Sequence, residues 1–267
     1  MRGLGELRYE PTPKRVRAVA GGRTIVDSRR AVLVWEPRRV VPSYAVPDGD
    51  IDAWLTRAAP AEAEEHPVAL GSDGPRVLDP RTPFAAHTCA GESLSLEAGE
   101  TVLAGAGFRP DDADLHGCVV LDFDAFDEWL EEDEPIVAHP RDPFKRIDVR
   151  RSSTRVQILV DGVTVADSTS ARLLFETWLG ARFYLPREDV RMDLLTPSST
   201  RTACAYKGRA SYWSVQVDGR THPDLAWTYE QPLSDAAEVA GHLAFFDEHV
   251  DVILDGEPRP RPVTPWS

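Results

Sequence analysis

The sequence has few of the features that mark secreted, membrane-bound or disulfide-rich proteins. Its 267 residues include only three cysteines, Cys89, Cys118 and Cys204. An odd number of widely spaced cysteines argues against a disulfide framework and favours a reducing compartment. No apolar run approaches the roughly 20 residues of a transmembrane helix, and the first residues have no apolar stretch of the signal-peptide type. We therefore expect a cytoplasmic protein with no membrane partner.

The sequence also lacks the loops that bind nucleotides and the elbow of common hydrolases. None of the patterns Gly-x-Gly-x-x-Gly, Gly-x-x-x-x-Gly-Lys-Ser/Thr or Gly-x-Ser-x-Gly occurs in the chain. A net charge of −14 opposes binding to a phosphate backbone, so we expect no nucleic-acid partner. Asp122 and Asp124 form an Asp-x-Asp pair, but without the Gly-Ser turn that precedes the carboxylates of a nucleotidyltransferase.

What the chain does contain is an internal repeat. The segment Arg15–Glu36 returns 140 positions later as Arg155–Glu176, with Gly, Thr, Asp, Ser, Ala, Leu and Glu repeated in order. Two further matches are proposed, Tyr44 with Tyr184 and His139 with His242. We interpret the repeat as two tandem copies of one unit.

Each copy begins with a predicted β-hairpin. Alternating apolar residues flank Gly21-Gly22 in copy 1 and Asp161-Gly162 in copy 2, and these dipeptides adopt positive φ readily. Short helices are predicted after Asp50 and Asp189, over residues 124–134 and over residues 235–238. The predicted fold class is mostly β (α+β): two small antiparallel-sheet units with short helices, related as a pseudo-symmetric tandem repeat.

Composition sets the predicted domain boundaries. Prolines and basic residues between His139 and Ser153 indicate the crossing from one copy to the next, and four prolines after Gly256 indicate an extended or disordered tail. We predict copy 1 over residues 1–144, copy 2 over residues 145–255 and a Pro-rich tail over residues 256–267.

Three motifs in copy 2 resemble a known family. They are Thr202-Ala-Cys-Ala-Tyr-Lys-Gly-Arg-Ala-Ser-Tyr-Trp213, Ala226-Trp-Thr-Tyr-Glu-Gln-Pro232 and Gly241-His-Leu-Ala-Phe245. The segment from Arg155 to about Phe246 is similar to the family called domain of unknown function 427, with alanine at position 205 where the family usually has proline. The family has no agreed reaction. It is sometimes labelled nucleotidyltransferase-like, which the motifs of this chain support poorly.

Copy 1 is similar to the same family over residues 15–51 and again near His139. Where copy 2 has Thr202–Gly208, the corresponding stretch of copy 1 is interpreted as His87–Ser93. This alignment matches Cys89 with Cys204 and leaves copy 1 without the Tyr206-Lys207 pair. The resemblance therefore implies that copy 2 holds any functional site and that copy 1 is an eroded structural partner.

Lysine is the rarest basic residue and points to a site in copy 2. The 30 basic residues include three lysines, which are Lys14, Lys145 and Lys207. Lys207 alone lies in an apolar and aromatic stretch, where burial would lower its pKa unless Glu176, Asp189 or Glu230 pairs with it. An unpaired ammonium can bind phosphate or carboxylate or attack a carbonyl, whereas a paired one is a structural bridge.

Aromatic residues and one histidine surround this lysine in sequence. The aromatic group comprises Tyr206, Tyr212, Trp213, Trp227 and Tyr229. These rings form either core or the wall of a pocket that stacks a flat ligand. His242 is either a core imidazole bonded to backbone or a general acid or base. Glu36 and Glu176 occur in both copies, which favours a structural role for them over catalysis.

Copy 1 contains two pairs of potential metal ligands. His87 with Cys89 and His116 with Cys118 each place an imidazole and a thiol on one face of a strand, and four such ligands can hold zinc. This spacing matches no established motif, so we predict neither a metal nor a cofactor.

The favoured hypothesis is a protein that binds a small planar or anionic metabolite in an aromatic and lysine pocket of copy 2. The predicted ligand-binding residues are Lys207, Tyr206, Tyr212, Trp213, Trp227, Tyr229, Glu230, His242 and Tyr184. One alternative is an enzyme of unknown reaction, with Lys207 as electrophile or nucleophile and His242 or Glu230 moving protons. The other is a structural or interaction protein.

Overall fold

The chain divides into two compact units in the computed structural model, which describes residues 3–59, 63–69 and 74–264. Unit 1 comprises residues 1–68 and 76–142, and unit 2 comprises residues 69–75 and 143–267. Strands account for 51% of the structure and helices for 7%, which confirms the mostly-β prediction. Within the described ranges, no helix is long and apolar enough to cross a membrane.

Unit 1 is built on a seven-stranded and a four-stranded antiparallel sheet. The strands up to residue 136 are β1 (Arg8–Pro11), β2 (Val16–Ala20), β3 (Arg23–Ser28), β4 (Val32–Trp35), β5 (Ser43–Pro47), β6 (Trp54–Arg57), β7 (Pro67–Ala69), β8 (Arg76–Leu78), β9 (Gly91–Ala98), β10 (Thr101–Pro110), β11 (Cys118–Leu121), β12 (Glu128–Glu131) and β13 (Glu134–Ile136). The large sheet has the order β1-β4-β5-β11-β10-β9-β6 and the small one β13-β12-β2-β3, while β7 and β8 pair separately.

Unit 2 also has a seven-stranded and a four-stranded sheet. Its strands are β14 (Ile147–Arg151), β15 (Val156–Val160), β16 (Val163–Ser168), β17 (Arg172–Glu176), β18 (Arg182–Leu185), β19 (Leu195–Cys204), β20 (Gly208–Val217), β21 (Arg220–Thr228), β22 (Leu243–Phe245), β23 (Asp251–Leu254) and β24 (Glu257–Arg259). The orders are β14-β17-β18-β22-β21-β20-β19 and β16-β15-β23-β24. The predicted tail thus begins with an extended strand, β24, and its residues 265–267 lie outside the described part.

The two units have the same strand order when their strands are matched in sequence. The correspondences are β1 with β14, β2 with β15, β3 with β16, β4 with β17, β5 with β18, β6 with β19, β9 with β20, β10 with β21, β11 with β22, β12 with β23 and β13 with β24. Matched strands therefore occupy matched places in the two large sheets and in the two small ones.

Repeated aspartates and serines make the same contacts in both units. Arg15 Nε donates to Asp27 Oδ1 at 2.7 Å, and Arg155 Nε donates to Asp167 Oδ1 at 2.8 Å. Two hydroxyl contacts also match: Ser28 Oγ to Asp50 Oδ2 at 2.7 Å and Ser168 Oγ to Asp189 Oδ2 at 2.6 Å. The Arg–Asp contact links the two strands of the hairpin, and the Ser–Asp contact links the hairpin to the 3₁₀ turn after β5 or β18. These contacts give a physical reason for the repeated residue types.

The two predicted hairpins are confirmed. β2 pairs with β3 and β15 pairs with β16, both antiparallel. Their turns use positive φ at Gly21 (57°), Gly22 (73°), Asp161 (48°) and Gly162 (81°). Two consecutive residues with positive φ match the right-handed twist of the flanking strands.

The predicted helices are only partly confirmed. A short 3₁₀ helix spans Ser234–Val239, as expected before His242. Residues 124–134 do not form a helix, because a single 3₁₀ turn at Phe123–Ala125 leads directly into β12. Near Asp50 there is likewise one 3₁₀ turn, Asp48–Asp50, after which Leu55 lies on β6. Apolar residues four apart are compatible with both a helix and a strand when the segment is short, so sheet pairing decided these segments.

Strand register corrects the proposed match of Tyr44 with Tyr184. Tyr44 pairs with Leu33 on the neighbouring strand, whereas the residue that pairs with Leu173 is Phe183. Leu33 and Leu173 are equivalent in the repeat, so Phe183 is the counterpart of Tyr44 and Tyr184 is the counterpart of Ala45. The two tyrosines therefore belong to opposite faces of their sheets.

The proposed match of His139 with His242 is also wrong. His242 directly precedes β22, whose counterpart in unit 1 is β11, and β11 follows His116. His139 instead follows β13, which corresponds to β24. Short runs of small apolar residues before each histidine made the two segments look alike, but one follows strand β13 and the other follows the 3₁₀ helix Ser234–Val239.

Two apolar clusters occupy opposite faces of the large sheet of unit 2. The first lies between the two sheets and includes Val156, Ile158, Phe183, Leu185, Val215 and Phe245. The second lies on the other face and comprises Val149, Leu174, Tyr184, Ala210, Trp227, Tyr229, Ala236, Val239 and Ala244. Because side chains alternate along a strand, Phe183 and Tyr184 point to different clusters. The second cluster carries the candidate site.

Candidate functional site in unit 2

Predicted aromatic residues meet on one row across the large sheet of unit 2. Tyr212 pairs with Trp227, Trp227 with Ala244, and Ala244 with Tyr184. Residues directly opposite each other on neighbouring strands point to the same face. Trp227 Nε1 donates to Tyr184 Oη at 3.2 Å, and the two rings meet edge to face at 6.2 Å. Only 1% of Tyr184 and 8% of Trp227 is exposed, so these two rings belong to the apolar core of the unit as well as to the candidate site.

A carboxylate with two lysines lies at the end of this face. Lys207 Nζ donates to Glu176 Oε2, and Lys145 Nζ lies 2.9 Å from Glu176 Oε1. The exposed fraction of the side chain is 7% for Glu176, 13% for Lys207 and 24% for Lys145. We call these three residues the Lys-Glu-Lys cluster. Two of the three lysines in the protein thus converge on one buried carboxylate.

The charges of the cluster hold one another in the ionised state. Burial alone would raise the pKa of Glu176, but the ammonium groups of Lys207 and Lys145 outweigh it and lower that pKa to about 2. Burial would lower the pKa of Lys207, but Glu176 outweighs it and holds this pKa above its ordinary value. At neutral pH the cluster therefore carries one negative and two positive charges.

Polar ends of aromatic residues and one thiol surround the cluster. Burial raises the pKa of Tyr184 to about 12, although the charge of Lys207 acts in the opposite direction. The pKa of Tyr229 is also raised by burial, and Tyr184, Cys204 and Glu176 add to the effect. Lys145 Nζ lies 5.3 Å from the centre of the Tyr206 ring. Tyr184, Tyr206 and Tyr229 thus lie around the charged groups, and 5% or less of each residue is exposed. We call these three residues the tyrosine wall.

Three predicted site residues lie elsewhere or make other contacts. Trp213 packs against the cluster between the two sheets, and the Arg187 guanidinium lies 4.9 Å from the centre of its ring. Trp213 follows Tyr212 on β20, so strand alternation turns it to the opposite face. Glu230 is exposed. The Nδ1 atom of His242 lies 3.0 Å from the carbonyl oxygen of Ala240, which is the backbone-bonded arrangement weighed for it.

Lys145 is the candidate site residue that sequence reasoning missed. It stands beside Arg146 in the predicted crossing, and that position suggested an ordinary basic linker. Pairing of β14 with β17 brings Ile147 opposite Glu176, and this register carries Lys145 to the carboxylate. The repetition of a glutamate in both copies was the available signal, since a buried carboxylate requires cationic or hydrogen-bonding partners.

In unit 1 the equivalent carboxylate, Glu36, is satisfied without lysine. The backbone N–H of Thr88 donates to Glu36 Oε2 at 2.7 Å, and His87 Nδ1 lies 3.0 Å from Glu36 Oε1. Cys89 Sγ lies 3.8 Å from the same carboxylate. His87 and Cys89 thus both contact Glu36, and no group of three or more His, Cys, Asp and Glu side chains is placed to hold a metal within residues 3–59, 63–69 and 74–264.

Sheet register also changes which residue of unit 1 stands at the position of Lys207. Ser93 pairs with Phe108 as Tyr212 pairs with Trp227, so Ser93 is the counterpart of Tyr212. Counting back five residues from each places Thr88 at the position of Lys207. The alignment of Cys89 with Cys204 is therefore wrong by four residues, although the Tyr-Lys pair is missing from either alignment.

Comparison with known families identifies the segment that carries this site. Residues 148–256 match the family described as "Domain of unknown function (DUF427)". This segment is a DUF427 domain. The match confirms the resemblance seen in the motifs and covers strands β15 to β23 completely. A comparison with curated proteins finds no match.

The DUF427 domain contains most of the candidate site. Glu176, Lys207 and the tyrosine wall all lie within the matched residues, whereas Lys145 lies three positions before them. The description of the family names no reaction and no ligand.

Proposed function

We propose that the DUF427 domain binds a small anionic ligand that carries a flat ring. In this proposal the acid group of the ligand lies beside the ammonium groups of Lys145 and Lys207, and its ring lies against the tyrosine wall. The observation that carries the proposal is the convergence of two lysines on one carboxylate, the buried side chain of Glu176.

The charge of the cluster favours an anion. One carboxylate and two ammonium groups leave one positive charge, and a partly buried charge without a counter-ion is costly. A ligand carboxylate or phosphate would supply that counter-ion through charge-assisted hydrogen bonds. Lys145 is the more exposed of the two lysines, with 24% of its side chain open against 13% for Lys207. An incoming anion would therefore meet Lys145 first and leave the Lys207–Glu176 pair intact.

Binding is better supported than catalysis by Lys207. A lysine that acts as a nucleophile must be in its neutral form, and its pKa is usually lowered for that purpose. Here Glu176 raises the pKa of Lys207 instead, so the amine is protonated at neutral pH. His242 has its Nδ1 atom against a backbone carbonyl, and Glu230 is exposed. These arrangements support electrostatic recognition rather than the proton transfers of the enzyme hypothesis.

We also propose that unit 1 is a duplicated copy that has lost this site, in a cytoplasmic protein. The shared strand order and the shared Arg–Asp and Ser–Asp contacts support the duplication. The loss is supported by the residues of unit 1 at the matched positions. Thr88 replaces Lys207, Ser93 replaces Tyr212 and Ala45 replaces Tyr184. Three free cysteines support a reducing compartment.

The proposal predicts that Lys145→Met weakens anion binding without unfolding the domain. Benzoate is the probe, and benzamide is its neutral analogue of the same shape. We expect benzoate to bind in calorimetric titrations, benzamide to bind at least about tenfold more weakly, and Lys145→Met to weaken benzoate by about tenfold, which is 1.4 kcal/mol. The melting temperature should change little, because Lys207 still pairs with Glu176.

Lys14→Met is the matched control. It removes the same charge from a pair with Glu131 in unit 1, in which the Lys14 side chain is 45% exposed. We expect this variant to bind benzoate as the native protein does. Equal binding of benzamide and benzoate, or unchanged affinity in Lys145→Met, would disprove anion recognition by the cluster.

A further inference from the structure

Strand β6 forms an open edge of the large sheet in unit 1. It is the last strand in the order of that sheet, and its one partner within the described residues is β9. The backbone N–H of Ala58 donates to the carbonyl oxygen of Ser93, and hydrogen-bonded pairs alternate along an antiparallel ladder. The backbone groups of even-numbered residues therefore face β9, whereas those of Ala53, Leu55 and Arg57 face away from it.

Two large apolar side chains lie in water on the outer face beside this edge. Trp54 on β6 is 81% exposed, the largest fraction for any large apolar residue in the described part of the chain, and Val102 on β10 is 60% exposed. Both residues pair with Glu97 of β9, one from each side, so the three side chains share one face. Tryptophan is the residue type most enriched among the energetic anchors of protein interfaces. The exposed ring therefore marks the edge as an interaction surface.

The other three edges of the two large sheets carry features that prevent pairing with another chain. Prolines, bulges and charges have this effect on exposed edges. Strand β1 has two charged residues and Pro11, and β14 has three charged residues. Strand β19, the counterpart of β6, has Pro197 and a register shift, and Arg201 donates to the carbonyl oxygens of Ser198 at 2.8 Å and Thr200 at 2.6 Å. Strand β6 has no proline and one charge, and it runs in unbroken register with β9.

A second copy of this chain complements the edge. In an antiparallel pairing about a two-fold axis, Leu55 lies opposite Leu55 of the second copy, and the backbone groups that face away from β9 meet each other. The two Trp54 residues are then diagonal neighbours about 7–8 Å apart, which is within reach of aromatic side chains. Arg57 comes opposite Ala53 of the second copy, beside Asp52, whose side chain is 76% exposed. This register joins apolar residues at the centre and opposite charges at both ends.

We infer that β6 is a self-association surface, through which two copies of this chain pair antiparallel and extend the large sheet of unit 1 from one copy into the other. A two-fold contact closes on itself, so the product is a dimer and not a fibre. The paired strands are short, and the interface is smaller than the roughly 1,200–2,000 Å² of a standard complex, so a weak, concentration-dependent dimer is expected. The inference does not depend on the proposed function of the DUF427 domain.

Sedimentation equilibrium of the full chain, at concentrations from about 1 µM to about 1 mM, tests the inference. We expect the average mass to rise with concentration from that of one chain toward that of two. Trp54→Ala should raise the dissociation constant at least about tenfold, because it removes the anchor of the contact. Trp178→Ala is the matched control: it removes a ring that is 38% exposed in unit 2, and it should leave the dissociation constant within about twofold of native.

A proline variant tests the backbone pairing itself. Arg57→Pro removes an N–H that faces away from β9, and an edge strand tolerates proline at such a position. Arg57→Ala removes the same side chain but keeps the N–H. We expect dimerisation of Arg57→Pro to be about tenfold weaker than that of Arg57→Ala, because two symmetric hydrogen bonds are lost. A chain that stays monomeric up to about 1 mM, native dimerisation in Trp54→Ala, or equal dimerisation in the two Arg57 variants would overturn the inference.

Discussion

Replacing Glu176 by glutamine should lower the free energy of unfolding of the DUF427 domain by about 3–5 kcal/mol, the range observed when one partner of a buried ion pair is removed. The variant leaves Lys207 buried and without its counter-ion, since Lys207 Nζ donates to Glu176 Oε2 and only 13% of its side chain is exposed. Lys145 loses the same partner. Chemical denaturation of the native chain and of Glu176→Gln measures the difference.

Asp193→Asn is the control for this loss. Asp193 pairs with Arg191 at 2.7 Å in the same unit, but the two side chains are 61% and 55% exposed. Exposed pairs contribute about 0–1 kcal/mol, so this variant should stay close to native stability. If both variants lose the same free energy, the Lys-Glu-Lys cluster is not the stabilising feature that its burial indicates.

A double variant separates the charge from the packing. In Glu176→Leu with Lys207→Met, the buried pair is replaced by apolar side chains of similar length, which is often neutral for stability. We expect the double variant to recover much of the stability that Glu176→Gln loses. It should still bind benzoate more weakly than the native protein, because only one of the two ammonium groups proposed to contact the acid group remains. Native affinity for benzoate in the double variant would show that Lys207 takes no part in binding.

Acid should destabilise the native DUF427 domain more than it destabilises the Glu176→Gln variant. The pKa of Glu176 is about 2 in the folded domain, against an ordinary value of 4.5. A carboxylate with a lowered pKa contributes stability that is fully present above pH 4.5 and is lost as the pH falls toward 2. At 1.36 kcal/mol for each pH unit, the gap corresponds to about 3 kcal/mol.

The difference between the two proteins isolates this one group. Denaturation should be measured at about pH 6, 4 and 2.5, which covers most of the range over which Glu176 titrates. The free energies of unfolding of the two proteins should converge as the pH falls. Other carboxylates titrate in both proteins and cancel in the comparison. Asp247 is one of them, since its burial outweighs the charges of Arg182 and Arg259 and raises its pKa to about 6. Parallel curves over the whole range would show that the pKa of Glu176 is not lowered.

Part of the candidate site could be predicted because the relevant signals are local. Lys207 was singled out by its rarity and its aromatic surroundings, and Glu176 was named among its possible partners. Tyr212 and Trp227 were both named as candidate site residues, and the structure pairs them directly. Alternation along a strand also required Tyr212 and Trp213 to point in opposite directions, although both were counted as site residues.

The residues that were missed depend on pairing between distant segments. Lys145 reaches Glu176 because β14 pairs with β17, a contact between residues 31 positions apart. The predicted helix over residues 124–134 failed for a similar reason, since β12 gains its backbone hydrogen bonds from β2 more than a hundred residues earlier. Register errors between the copies arose where similar short sequences occur in different strands, as at His139 and His242.

The sequence by itself determined the mostly-β class, the hairpin turns and the membership of residues 148–256 in DUF427, because alternation, turn residues and motif order are local properties of the chain. Only the tertiary structure decided which charges meet. A sheet brings together residues from distant strands in a register set by the whole set of hydrogen bonds, and so it placed both Lys145 and Lys207 on Glu176 and left His87 and Thr88 on Glu36.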